Sequence, residues 1–104
     1  MGKLNVLLVC GSGASSGFMA ANMRKAAAEK KLELDIKARS ESEIESYIDT
    51  TDVIMVGPHL AYILDEIKEY ANDNAKLKVI LMKPEYYSRL DGEKAIQHLL
   101  ENVN

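Results

Sequence analysis

The chain has 104 residues, with 13 basic and 16 acidic side chains, a net charge of −3 and one cysteine. Mixed signs without a basic block leave no electrostatic footprint for nucleic acid, and no stretch reaches the roughly 20 apolar residues of a membrane span. One domain able to bury about two-thirds of its unfolded surface is expected. The lone thiol excludes an internal disulfide and a resolving redox pair, which fits a reducing, cytoplasmic setting, and Met1-Gly2-Lys3 ahead of an apolar run lacks a signal peptide's layout.

Residues 4–9 form a nearly continuous apolar run, as expected of a central strand covered on both faces. The glycine-rich stretch Cys10-Gly11-Ser12-Gly13-Ala14-Ser15-Ser16-Gly17 follows, and a helix is predicted over 18–31, with Met19, Met23 and Ala27 at helical spacing. Residues 32–38 alternate apolar and polar, the mark of a half-covered strand at a sheet edge. Ser40 with Glu43 three residues on is a capping box for a brief helix whose apolar face is Ile44, Tyr47 and Ile48. A buried strand over 52–58 ends at Gly57-Pro58, because proline supplies no ladder donor. From Leu60, the positions Ile63, Leu64, Ile67 and Ala71 keep helical spacing until Asn72-Asp73-Asn74. Residues 77–82 read as a strand, 83–87 as a loop, and Asp91 as the cap of a last helix bearing Ala95, Ile96, Leu99, Leu100 and Val103.

Strands and helices therefore alternate, which predicts an α/β three-layer sandwich with a four-stranded parallel sheet. Ligands of such sheets bind at the carboxyl ends of the strands. The Cys10 loop, Gly57-Pro58-His59 and residues 83–87 should meet there. A glycine-rich loop turned into a helix start presents backbone N–H groups and a positive dipole end, so a cysteine at its mouth ionises readily and can hold an anion or a phosphoryl group. Cys10 is accordingly expected to carry a phosphoryl group covalently, cradled by Gly11, Ser12, Gly13, Ala14, Ser15 and Ser16.

Competing readings of the same stretch fare less well. A dinucleotide fingerprint needs its third glycine at position 16, whereas it falls at Gly17, and no G-x4-G-K-[ST] string exists. Two isolated histidines and one cysteine lack metal-ligand spacing. His59 is either a donor to the phosphoryl group, a partner contact or a plain helix-entry residue. His98 reads as a surface residue. Lys83, Tyr86 and Tyr87 either balance phosphate charge, meet partners or serve structure.

The segments VCGSGASSGFMA at 9–20, ARSESEIESYI at 38–48, DVIMVGPHLAYILDEI at 52–67 and EYYSRLDGEKAIQ at 85–97 together resemble the lactose/cellobiose-type enzyme IIB of the bacterial sugar phosphotransferase system. The resemblance implies a phosphotransferase in which Cys10 takes a phosphoryl group from a phosphohistidine on enzyme IIA. It then passes the group to a sugar, cellobiose or another disaccharide or β-glucoside, bound by membrane enzyme IIC. No metal or organic cofactor is implied, and a monomer is expected. Where many members carry glutamine after the Gly-Pro, this chain has His59. Low-molecular-weight cysteine phosphatases share the strand-loop-helix layout but require C-x5-R-[ST], and the arginine position here is Ser16. The alternatives are a small cysteine phosphatase or arsenate-reductase-like enzyme, and a non-catalytic phosphate-binding module.

Overall fold

The computed structural model describes residues 3–10, 14–73 and 77–103. Its centre is β1 (Leu4–Cys10), which pairs along its whole length with β2 (Leu34–Ser40) and, on the other side, with β3 (Val53–Val56); β4 (Lys78–Leu81) completes a parallel sheet of order β2-β1-β3-β4. The apolar run predicts this central place, since Val6, Leu7, Leu8 and Val9 are all buried. Alternation divides them. Val6, Leu8, Val53 and Met55 join a core with Met19, Met23 and Ala27 of α1 (Ala14–Glu29) and with Ile96 and Leu99 of α5 (Gly92–Val103). Leu7, Val9, Ile54 and Val56 face Ile44 of α2 (Ile44–Tyr47) and Ile67 of α3 (Leu64–Asp73). Two cores on opposite faces make the expected three layers, with the alternating strand β2 at the edge as its pattern requires.

Four boundaries differ from the sequence expectation. The first helix starts at Ala14, four residues early, because small residues in a first helical turn show no apolar period although nothing prevents them from being helical. It ends in a Schellman motif: Lys31 sits at φ 58°, its N–H donates to the Ala28 carbonyl, and the Leu32 N–H reaches back to Ala27. That turn delays β2 by two residues. The predicted third helix opens instead as a 3-10 segment, Pro58–Ile63, with Leu60 off helical geometry so that its side chain is buried. Finally, the loop expected at 83–87 contains α4 (Pro84–Tyr87), with Pro84 in the first helical position. A second Schellman motif with Leu90 at φ 53° closes it, the Asp91 N–H donating to Tyr86. One helical turn is too short to register as periodicity.

The two predicted caps form. Glu43 accepts from the Ser40 N–H at 3.1 Å, and Asp91 accepts from the Lys94 N–H at 3.1 Å.

Candidate active site at the carboxyl end of the sheet

Cys10 is the last residue of the central strand and stands opposite Ser40 in the register. On its other side the ladder continues one residue beyond β3: Val9 pairs with Val56, and the Gly57 N–H donates to the Val9 carbonyl at 2.9 Å. Met82 extends β4 in the same way, donating to the Val56 carbonyl at 2.8 Å. Position 10 therefore lies between Ser40 and Gly57 in an aligned row of strand ends. Helix α1 begins at Ala14, so its unpaired first-turn N–H groups and positive dipole end arise four residues after the cysteine.

Gly11, Ser12 and Gly13, named as the first half of the cradle, lie outside the described residues, as do the side chains of Cys10, Ala14, Ser15 and Ser16. The backbone of the last three belongs to the first turn of α1 rather than to a loop.

His59 is exposed at the end of β3, and its ring folds back over Gly57: a Cβ on that glycine would approach the imidazole Cε1 to 2.7 Å. The ring also meets that of Tyr87, with centroids 5.8 Å apart and planes tilted by 49°. Pro58, His59, Pro84, Tyr87 and Ser88 line one shallow groove beyond β3 and β4. The expected meeting of the Gly57-Pro58-His59 segment with the segment after β4 is thus observed.

Lys83 is exposed, whereas Tyr86 and Tyr87 are only 4% and 9% exposed and belong to the α1/α5 core. The tyrosines follow their structural reading, because α4 turns both rings inward. Tyr86 shares a 2.6 Å hydrogen bond with Nδ1 of His98, and the rings meet edge to face. His98 is accordingly half-buried, which corrects its reading as a surface residue. Burial pushes the Tyr86 hydroxyl up to about 12, partly offset by a hydrogen bond from the Lys83 backbone. His98 is lowered, chiefly by burial and secondly by the Lys83 charge.

Sequence reasoning missed Ser40 as a neighbour of Cys10; only the edge-strand register, displaced by the Lys31 turn, reveals it. It also missed Arg39, one residue away, whose Nε donates to the Tyr47 hydroxyl at 2.8 Å and whose Nη1 donates to the Ala38 carbonyl at 2.7 Å. That hydrogen bond with Tyr47 is the main cause of the raised Arg39 pKa. The guanidinium lies 5.0 Å over the Tyr47 ring and is thereby held on α2. Among the described residues no group of three His, Cys, Asp or Glu is placed to hold a metal ion, and no helix is long and apolar enough to cross a membrane.

A parallel four-stranded sheet whose central strand closes on a cysteine just before a helix start defines the small α/β class that contains the low-molecular-weight phosphatases. A low molecular weight phosphotyrosine phosphatase from Vibrio cholerae O395 matches this fold at TM-score 0.60 with 14% identity, over 95% of this chain and 97% of its own. Within that class, residues 5–98 match the family described as "PTS system, Lactose/Cellobiose specific IIB subunit", and the chain belongs to this family. It is 28% identical over 96 residues to the galactose-specific EIIB component of Lactococcus lactis subsp. cremoris, with 88% of each chain covered. The cellobiose-specific EIIB component of Lactococcus lactis subsp. lactis is 27% identical with the same coverage. The lactose-specific IIB domain of Streptococcus pneumoniae shares the fold at TM-score 0.87 and 20% identity, over 99% of this chain and all of its own.

Proposed function

We propose that Cys10 is the phosphoryl carrier of this IIB subunit, taking the group from a phosphohistidine of enzyme IIA and delivering it to a sugar bound by membrane enzyme IIC. The supporting observation is the place of Cys10: the carboxyl end of the central strand, between Ser40 and Gly57, four residues before the amino end of α1. Phosphoryl transfer asks a protein mainly for positioning and for donors to the equatorial oxygens, and first-turn N–H groups are such donors.

In the first step the Cys10 thiolate attacks phosphorus, the S–P bond forms and the N–P bond of a phosphohistidine protonated on its other ring nitrogen breaks, so that the ring leaves as a neutral imidazole. In the second a sugar hydroxyl attacks, the O–P bond forms, its proton passes to a base, and the thiolate leaves. Thiolates suit both halves, being strong nucleophiles near neutral pH and competent leaving groups. The backbone of Gly11, Ser12, Gly13, Ala14, Ser15 and Ser16 cradles the group. Phe18 and Tyr62, both exposed and both on segments leaving the strand ends, offer apolar contact to the two partners in turn. The subunit works as a cytoplasmic monomer that visits the transporter, with cellobiose or another disaccharide or β-glucoside as the sugar class.

The phosphatase-like fold makes hydrolysis the second reading. Ser16 stands where an arginine would clamp the phosphoryl group in the transition state, so loss to water is expected to be slow. Intact-mass measurement after incubation with phosphoenolpyruvate, the general phosphotransferase proteins and a matching enzyme IIA tests the carrier role. One phosphoryl group should appear on the wild type and none on Cys10→Ser; equal gain by both refutes it.

A further inference from the structure

The two strands that flank the site share a register in which Val6 pairs with Val53 and Leu8 with Met55, all four facing the α1/α5 core. Two residues further along each strand, position 10 falls beside position 57, and the Gly57 N–H bond to Val9 holds that alignment. Position 57 has no side chain, and the space one would occupy is filled by another residue. A Cβ on Gly57 would lie 2.7 Å from Cε1, 3.1 Å from Nδ1 and 3.5 Å from Nε2 of His59. The imidazole thus stands in for the missing side chain of the residue next to Cys10. Tyr87, buried in the α1/α5 core, backs the ring on the same side of the sheet, and His59 stays open to solvent. Adjacent strands lie about 4.8 Å apart, so a ring at this place is within reach of a group carried on the neighbouring strand end.

From this geometry we infer that His59 is the side-chain hydrogen-bond donor to the phosphoryl group held at Cys10, an assignment that rests on the carrier reading. Three cationic alternatives are placed elsewhere or absent: position 16 is serine, the Arg39 guanidinium is held by Tyr47 and the Ala38 carbonyl, and Lys83 lines a separate pocket with His98, whose pKa its charge lowers. An imidazole N–H to a phosphoryl oxygen is a charge-assisted hydrogen bond. Because Gly57 and Tyr87 already orient the ring, little side-chain freedom is lost when that bond forms.

Two substitutions separate donation from packing. His59→Phe keeps a ring against Gly57 and Tyr87 but has no donor, whereas His59→Gln keeps an N–H donor and loses the ring. At a fixed ratio of phosphorylated to free enzyme IIA, the equilibrium constant for phosphoryl transfer to the subunit should fall about tenfold in His59→Phe and stay within about threefold of wild type in His59→Gln. The thermal midpoints of both variants should stay close to wild type, as befits an exposed position. A labelled wild type with His59→Phe equally labelled, or with His59→Gln as impaired as His59→Phe, overturns the role of His59 and leaves the carrier reading standing. A wild type that takes up no phosphoryl group removes the carrier reading, and this assignment with it.

Discussion

Tyr86 and His98 lie 12 residues apart and act as one unit. Burial raises the Tyr86 hydroxyl and, with Lys83, depresses His98, so a protonated hydroxyl and a neutral imidazole share the bond at Nδ1. Replacing Tyr86 with Phe removes that partner and should lower the unfolding free energy by about 1 kcal/mol in urea titrations at neutral pH. A depressed histidine binds fewer protons folded than unfolded, so its contribution is fully present above about 6.5 and is lost as pH falls through its folded value. Stability should therefore decline as pH falls below about 6.5, with a slope that His98→Gln reduces; an unchanged slope in that variant would remove His98 as its source. Neither partner announces this pairing in sequence, because a turn of only four residues, Pro84–Tyr87, sets the tyrosine's direction. Cys10 is different. Its place at the end of an unbroken apolar run, ahead of glycines, makes its strand-end position legible from local pattern alone.

At the scale of elements, the β2 edge of the sheet is capped by the chain's own side chains. The Leu4 N–H bonds the Glu33 carbonyl, so by strand alternation the Ile36 and Ala38 carbonyls face away from β1. Arg24 donates to Ile36 from Nε at 2.9 Å and Nη2 at 2.6 Å, Arg39 donates to Ala38, and the outward Ser40 N–H is taken by Glu43. Such capping hinders strand addition by a second copy. The double variant Arg24→Ala/Arg39→Ala should show a rise in weight-average mass with concentration in light scattering, where the wild type shows none; two superimposable curves would deny the caps this role. The contact between α1 and α5 depends on Gly92, where a Cβ would fall 2.4 Å from the backbone carbon and oxygen of Asn22. Backbone cannot yield as a side-chain tip does, so Gly92→Ala should cost at least the roughly 1–3 kcal/mol typical of overpacking, seen as a lower urea midpoint at constant m-value. The strands and long helices are readable from their periods of two and 3.6 residues. The 3-10 openings, the single-turn helix and the Schellman turns at Lys31 and Leu90 are not, since two non-glycine residues adopt positive φ there.

Across the whole molecule, the alternation of strand and helix, the unbroken apolar pattern of β1 and the period-two pattern of β2 specify a parallel sheet with β1 inside it and β2 at an edge. The same architecture serves phosphatases, so the fold by itself does not separate hydrolysis from relay, and the test falls on position 16 in the first turn of α1. With Ser16 in place of arginine, an aryl phosphate such as para-nitrophenyl phosphate should be hydrolysed scarcely faster than in buffer, as a steady-state absorbance assay would reveal. The wall of the site beside Gly57 could not be read in advance, because it depends on a ring folding back across two residues.

The central claim is that the sulfur of Cys10 bears the phosphoryl group between donor and sugar. Fragment mass spectrometry of the subunit, digested after phosphorylation by enzyme IIA and before any sugar is added, examines this most directly. The account predicts the added mass on the peptide spanning residues 4–24, localised to Cys10, and its disappearance when membranes holding enzyme IIC and its sugar are supplied. A phosphoryl group found instead on His59, His98 or a serine, or one that persists on Cys10 in the presence of transporter and sugar, would contradict it.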